Sequence, residues 1–187
     1  MKPGMALKLS GMFYGSIALL SVLWLVYRDG LEFFRPPPLD AVLPWMLVSA
    51  LCAMAIVLFS RLVAETSWAL AMEREMQKTL GPLTRTDTFF MAVFSGIGEE
   101  LFFRGVLLPP LGLFGSSVIF CMAHPPYIPA LRPWTLFAIL MGFLLGYLYQ
   151  ASGSLWPPIF LHFAVNDQNL TFLARRFPRD GDPDLPP

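Results

Sequence analysis

Residues 88–108, TFFMAVFSGIGEELFFRGVLL, combine two properties that rarely occur in one segment. The run is long and apolar enough to cross the hydrocarbon core of a bilayer as one helix, which takes about 20 residues. It also contains three charged side chains, Glu99, Glu100 and Arg104. A charge in hydrocarbon costs a few kcal/mol even on lenient scales, so such residues usually face the interior of a helical bundle and mark function. The segment therefore predicts a membrane-spanning helix that carries a buried polar site.

The whole chain has the composition of a membrane protein. Of its 187 residues, 56% are hydrophobic and 14% are charged, whereas a typical soluble domain has about 25% charged residues. The 13 basic and 13 acidic residues balance, and a chain without a basic excess lacks the electrostatic footprint of a nucleic-acid-binding protein. Disorder is excluded because it requires low hydrophobicity and high net charge. We therefore expect a multi-pass membrane protein that binds no nucleic acid.

Apolar runs predict an all-α membrane bundle of about six spans. These spans leave only loops and a tail, so residues 1–187 are expected to form a single integral membrane domain. The fourth segment is short for a full crossing, and a partial helix buried among the others is the alternative. The tail, residues 177–187, is rich in Pro and Asp and is predicted to be disordered. The six segments are Gly11–Tyr27, Ala41–Phe59, Thr88–Leu108, Leu113–His124, Trp134–Tyr149 and Leu155–Leu173.

The basic residues predict an orientation. Cytoplasmic loops of membrane proteins carry an excess of Lys and Arg, and six spans place ten of the 13 basic residues on one side, two on the other and Arg104 within a span. Both termini are then cytoplasmic, and the expected location of this compact chain is the plasma (inner) membrane of a prokaryote. The cytoplasmic set is Lys2, Lys8, Arg61, Arg74, Lys78, Arg85, Arg132, Arg175, Arg176 and Arg179, with Arg28 and Arg35 on the opposite side.

Residues 61–78, between the second and third segments, mix apolar and charged side chains. This pattern predicts an amphipathic helix at the cytoplasmic interface. A cytoplasmic extension of the second span is an equally good interpretation.

The spacing of the charges in the third segment separates the two glutamates. Glu100 and Arg104 are four residues apart and share a helix face, so we expect them to pair. Glu99 is rotated by about 100° from Glu100 and has no obvious partner on its own helix. An unpaired carboxyl in a desolvated site suits a general acid or base. The spacing therefore predicts that Glu100 and Arg104 brace the site and that Glu99 acts.

The two histidines of the chain also fall in predicted spans. His162 and Asn166 share one face of the sixth segment, and both can donate hydrogen bonds to a developing oxyanion. His124 ends the fourth segment, four residues after Phe120. At about 1.5 Å per residue, these polar groups and Glu99 lie at overlapping depths near the middle of the membrane. Residues from three helices are therefore expected to meet in one buried cavity.

Other residues of the spans are predicted to have no chemical role. Asp167 and the two residues after it approach the cytoplasmic end of the sixth segment, where solvation would account for them. Phe103 and Phe120 are expected to pack or to line the pocket.

Three ordered motifs in these segments resemble those of the CPBP family of intramembrane proteases. This family comprises the type II CAAX prenyl endopeptidases and the bacteriocin-processing or immunity-related Abi proteins. The motif core covers about residues 88–173, which would form a four-helix unit, and the chain departs from the family in having only two spans before it. The motifs are Glu99-Glu100-x-x-x-Arg104, Phe120-x-x-x-His124 and His162-x-x-x-Asn166.

The resemblance implies a glutamate-dependent endopeptidase. Carried over by motif, Glu99 and His124 would activate a water, and His162 and Asn166 would stabilise the oxyanion. The implied substrate is a membrane-anchored or lipidated protein cut near its C-terminus. Its cleaved part would be either a C-terminal lipidated peptide or the C-terminal sorting helix of an exported protein. No cofactor is expected.

Three alternatives stay open. A zinc-dependent version of the protease would use the glutamates and histidines as ligands, although the chain has no HExxH segment. A non-catalytic membrane scaffold or immunity protein would retain the same residues for packing. A carrier or proton path would also use intramembrane Glu and His, but carriers often show inverted repeats, and we find none in the sequence.

Overall fold

The computed structural model describes residues 4–124 and 127–178, and all regular secondary structure in these two ranges is helical. Each of the six predicted segments lies on helix, apart from the last two residues of the fourth and the first residue of the sixth. A π-helical stretch, Leu101–Leu107, joins α4 to α5, and short 3-10 turns occur at Leu31–Phe34 and Pro129–Leu131. The α-helices are α1 (Met5–Asp29), α2 (Leu39–Val63), α3 (Ser67–Leu80), α4 (Arg85–Glu100), α5 (Leu108–Met122), α6 (Arg132–Ser152) and α7 (Trp156–Arg176).

The predicted all-α membrane bundle is confirmed, with a smaller number of clear spans. Within the described ranges, four helical stretches are long and apolar enough to cross a membrane: Met5–Asp29, Leu39–Val63, Arg85–Met122 and Pro129–Ser152. The third of these includes two predicted segments. Helix α7, the sixth predicted segment, is similar in length but is not one of the four, because polar residues interrupt its apolar sequence.

The chain reverses direction at Gly112. This glycine has φ 67° and ψ 177°, outside the helical region, and positive φ favours glycine because it has no Cβ. The Ser116 hydroxyl then donates a hydrogen bond of 2.8 Å to the carbonyl of Phe103, thirteen residues earlier, which a straight helix would place about 20 Å away. The third and fourth predicted segments are therefore separate arms of a hairpin. The second arm is about 15 Å long, which agrees with the partial-helix alternative.

Helix α4 lies between α1 and α7. It runs parallel to α1 and antiparallel to α7, while α5 packs antiparallel to α6. The N-termini of three helices and the C-termini of three others therefore lie at one end of the bundle. The N-termini are those of α1, α4 and α6, and the C-termini are those of α2, α5 and α7. This is the end predicted to be cytoplasmic, and its location relative to the membrane stays a prediction, as does the single domain of residues 1–187. Lys2, Arg179 and most of the predicted disordered tail lie outside the described residues.

The region after the second span forms a helix of its own. Helix α3 begins at Ser67, after α2 has ended at Val63, so it is a separate helix and the extended span is wrong. Its location at the cytoplasmic interface stays a prediction. Glu73 of α3 forms an ion pair of 3.1 Å with Arg176 of α7. Burial raises the pKa of the Glu73 carboxyl, and the charge of Arg176 opposes this effect.

Asp167 has a structural contact, and the prediction that it is simply solvated is wrong. Its side chain is only 8% exposed, and Nη1 of Arg85 donates to it at 2.6 Å and Nη2 at 3.1 Å. The next two residues, Gln168 and Asn169, accept hydrogen bonds from Arg61 of α2 through the Gln168 carbonyl and the Asn169 side chain. The sequence did not reveal these contacts because all of them join different helices.

Candidate active site

Two glycines allow the neighbouring helices to approach α4 where it carries the glutamates. A Cβ on Gly96 would lie 3.2 Å from the backbone nitrogen of Phe163 in α7. A Cβ on Gly98 would lie 2.8 Å from the carbonyl oxygen of Tyr14 in α1. A side chain at either position would separate the helices, so the glycines permit close packing around the next residue, Glu99.

Glu100 is the centre of a buried group of charges. Nη1 of Arg104 donates to Glu100 Oε1 at 3.0 Å, and His162 Nδ1 is 2.7 Å from the same oxygen. The side chain of Glu100 is 0% exposed and that of Arg104 is 1% exposed. Arg104 also donates from Nη2 to the carbonyl of Gly142 in α6 at 3.1 Å. The structure contains the ion pair that the spacing predicts and adds His162 to it.

Glu99 has a different environment from Glu100. Its Oε2, like Oε2 of Glu100, is buried and has no hydrogen-bond partner within the described part of the chain. The nearest charged partner is His162, whose Nε2 is 3.9 Å away. Tyr14 of α1 is also close enough to interact with the Glu99 carboxylate. His162 therefore lies between the two glutamates, with one ring nitrogen bonded to Glu100 and the other facing Glu99.

His124 lies two residues after the end of α5 and is held in one orientation by the last turn of that helix. Its Nδ1 is 2.8 Å from the carbonyl oxygen of Phe120. A carbonyl only accepts, so Nδ1 carries the proton and Nε2 is an acceptor in the neutral ring. The ring packs between Phe120 and Trp134, with centroid distances of 4.9 and 4.7 Å. Glu99 is close enough to act on His124 electrostatically, although no direct hydrogen bond joins these two described residues.

Phe103 and Phe120 form an aromatic wall beside the charged group. Their rings meet edge to face at a centroid distance of 4.9 Å. The Arg104 guanidinium carbon is 4.6 Å from the Phe120 ring centroid, and the His162 ring is 6.1 Å from the same ring. Both phenylalanines are buried in the hydrophobic core. The wall connects His124, on one face of Phe120, with the Glu100–Arg104–His162 group.

Asn166 is bonded to a residue that the sequence did not single out. Its Nδ2 donates to the hydroxyl oxygen of Ser95 at 2.9 Å. Ser95 lies one turn before Glu99 on α4, and this spacing is the one sequence feature that could have identified Ser95 as a residue of the site. Tyr14 and Trp134 were also missed, since each contacts the site from a helix without a motif.

Two of the atoms that could bind zinc, Glu100 Oε1 and His162 Nδ1, already have protein partners. Within residues 4–124 and 127–178, no group of three or more His, Cys, Asp or Glu side chains is arranged to hold a metal ion. Glu100 Oε1 and His162 Nδ1 are bonded to each other, and Glu100 is also paired with Arg104. These potential zinc ligands are therefore already committed to protein partners.

Comparison with known proteins supports the resemblance. Residues 82–167 match the family model described as type II CAAX prenyl endopeptidase Rce1-like. The chain is also 37% identical over 79 residues to the uncharacterized protein YpbD of Bacillus subtilis (strain 168), a match that covers 41% of this chain and 40% of that protein. No solved structure matches the chain. The region that carries the three motifs is therefore similar to the type II CAAX prenyl endopeptidase Rce1-like family over residues 82–167, as the motifs predict.

Proposed function

We propose that this protein is a glutamate-dependent intramembrane endopeptidase with Glu99 as its general base. The Rce1-like match supports a protease of the CAAX type. The observation that carries the specific assignment is the position of His162 between two carboxylates. One of them is bonded to it, and the other, Glu99, has a buried oxygen, Oε2, without a hydrogen-bond partner in the described structure. A buried carboxylate oxygen that is free beside a histidine can accept a proton from water.

The charges of the group support a donor role for His162. Glu99 and Glu100 are balanced by Arg104 and by one further positive charge, which a doubly protonated His162 supplies. Such a ring donates from Nδ1 to Glu100 and still has an N–H at Nε2, which is too far from Glu99 for a normal hydrogen bond. We assign this N–H and the Asn166 amide to the oxyanion site, where preorganised donors stabilise a tetrahedral intermediate.

The reaction follows from these roles. A water held between Glu99 and His124 Nε2 gives a proton to Glu99 as its oxygen bonds to the carbonyl carbon of the substrate. The resulting oxyanion accepts hydrogen bonds from His162 and Asn166. Glu99 then returns the proton to the leaving nitrogen as the C–N bond breaks, which releases a carboxylic acid and an amine. Glu100 and Arg104 keep His162 in place throughout.

We propose a membrane-anchored or lipidated protein, cut near its C-terminus, as the substrate. The bilayer in which such a substrate lies also surrounds the bundle, whose α1 and α2 expose many large apolar side chains. A lipidated C-terminal peptide and a C-terminal sorting helix are the two forms to distinguish. We also propose that the protein lies in the plasma membrane with both termini in the cytoplasm.

A comparison of C-termini tests the proposed function. The C-terminal peptides of membrane and secreted proteins are measured in cells with the wild type, Glu99→Gln or Glu75→Gln, a matched control on α3. We expect Glu99→Gln to lower cleavage by about 100- to 10,000-fold, the usual contribution of a general base, and Glu75→Gln to leave it unchanged. Identical C-termini in the wild type and Glu99→Gln would contradict the proposal and favour the scaffold alternative.

A further inference from the structure

Ser95 occupies a defined place in the hydrogen-bond pattern of the site. Its hydroxyl is 3.3 Å from the carbonyl oxygen of Ala92 on the same helix and 2.9 Å from Nδ2 of Asn166 on α7. The residue is buried and lies one turn from Glu99. It therefore connects the helix that carries the proposed base with the helix that carries the proposed oxyanion donors.

The single proton of a serine hydroxyl sets the direction of both bonds. The Ala92 carbonyl can only accept, so the hydroxyl proton of Ser95 points to it. The Ser95 oxygen must then accept from Asn166, which requires the NH₂ group of the amide to face Ser95. The opposite orientation would bring the amide oxygen to the serine, and the hydroxyl could satisfy that oxygen only by leaving Ala92.

We infer that Ser95 is a positioning residue that fixes the orientation of the Asn166 amide. With one N–H of Nδ2 bonded to Ser95, the second N–H has a fixed direction and serves as the oxyanion donor. Without Ser95 the amide can rotate between two orientations, and only one of them presents N–H. This inference rests on the proposed function, because it assigns Asn166 a partner in that reaction.

A second contact between the same helices provides a matched control. The hydroxyls of Thr88 on α4 and Thr171 on α7 are 3.2 Å apart, about two turns from Ser95. Thr88 is 0% exposed and Ser95 is 6% exposed. Thr88→Ala and Ser95→Ala therefore each remove a buried hydroxyl contact between α4 and α7, and only Ser95→Ala changes the site.

The test measures hydrolysis of an internally quenched farnesylated peptide that ends in a CAAX sequence. We expect Ser95→Ala to lower kcat by about 10- to 100-fold with little change in KM, somewhat less than the loss of an oxyanion donor itself. Thr88→Ala should retain kcat within about twofold, as expected away from the reacting groups. Ser95→Cys retains the size of the side chain with a weaker acceptor, and should show the same loss if the alanine variant does not accumulate.

A double-mutant cycle separates positioning from simple destabilisation. If Ser95 acts through Asn166, then Ser95→Ala lowers kcat no further in an Asn166→Ala background. Additive losses, or a wild-type kcat for Ser95→Ala, would overturn the inference. Glu99→Gln, measured in the same assay, separates failure of the proposed function from failure of this inference. Full activity of Glu99→Gln rejects the proposed function. An inactive Glu99→Gln together with a fully active Ser95→Ala rejects only the role of Ser95.

Discussion

At the scale of single residues, the Glu100–Arg104 pair is expected to be essential for stability. Both side chains are almost completely buried, and His162 bonds to the same carboxylate. Arg104→Met leaves two buried glutamates with His162 as their one compensating cation in the described part of the chain, and breaking a buried ion pair in this way typically costs about 3–5 kcal/mol. Thermal unfolding of the detergent-solubilised protein measures this loss.

A control variant and a double variant show whether the stability loss of Arg104→Met comes from the broken ion pair. Arg74→Met, on the exposed side of α3, should change stability by no more than about 0.5 kcal/mol. The double variant Glu100→Gln with Arg104→Met should lose less than the sum of the two single variants, because neither partner is left with an uncompensated charge. Additive losses would show that the two residues do not act as a pair.

The response to a chelator is a second prediction at this scale. Glu100 and His162 are bonded to each other, so we expect peptide hydrolysis to persist when the enzyme has been incubated with a metal chelator and desalted. His124→Ala should lower kcat by about 100-fold, the lower range for a group that assists proton transfer. Activity that disappears with the chelator and returns with added zinc would support the zinc-dependent alternative.

At the scale of helices, the contact between α1 and α4 depends on Gly98. Gly98→Ala would place a Cβ 2.8 Å from the backbone oxygen of Tyr14, and backbone cannot move away as a flexible side chain can. We expect a loss of about 1–3 kcal/mol from this overpacking, together with reduced activity because α1 is displaced beside Glu99. Thermal unfolding and peptide hydrolysis measure the two effects.

Gly15 of α1 is the control for the substitution. A Cβ on this residue would meet nothing within 4 Å, and replacement of a helical glycine by alanine usually adds about 0.5–1 kcal/mol of stability. Gly15→Ala should therefore be neutral or stabilising, with full activity. Equal behaviour of the two variants would mean that the α1–α4 contact is not needed at the site.

The helices also show what a sequence can predict about such a site. Hydrophobic length and i, i+4 spacing are local properties, so the helical segments and the pairing of Glu100 with Arg104 followed from them. The reversal at Gly112 and the partners of Asp167 and Asn166 depend on how helices pack. Packing brings together residues far apart in the chain, and one sequence contains no record of those distances.

At the scale of the whole molecule, the two ends of the bundle predict how the protein lies in the membrane. The basic end includes Lys78, and the opposite end includes Arg35. Their side chains are 71% and 72% exposed, respectively, so they are equally accessible in the isolated protein. Any difference in their reaction with a reagent that cannot cross the bilayer therefore reports the membrane and not local burial.

A cysteine-labelling experiment uses the equal exposure of the Lys78 and Arg35 side chains. Lys78→Cys and Arg35→Cys are each made in a Cys52→Ser, Cys121→Ser background and treated with a membrane-impermeant maleimide in right-side-out vesicles. The excess of Lys and Arg at the end near Lys78 predicts that this end is cytoplasmic. Arg35→Cys should therefore be labelled in intact vesicles and Lys78→Cys only after detergent is added. The reverse pattern would invert the orientation, and with it the side from which a substrate C-terminus reaches Glu99.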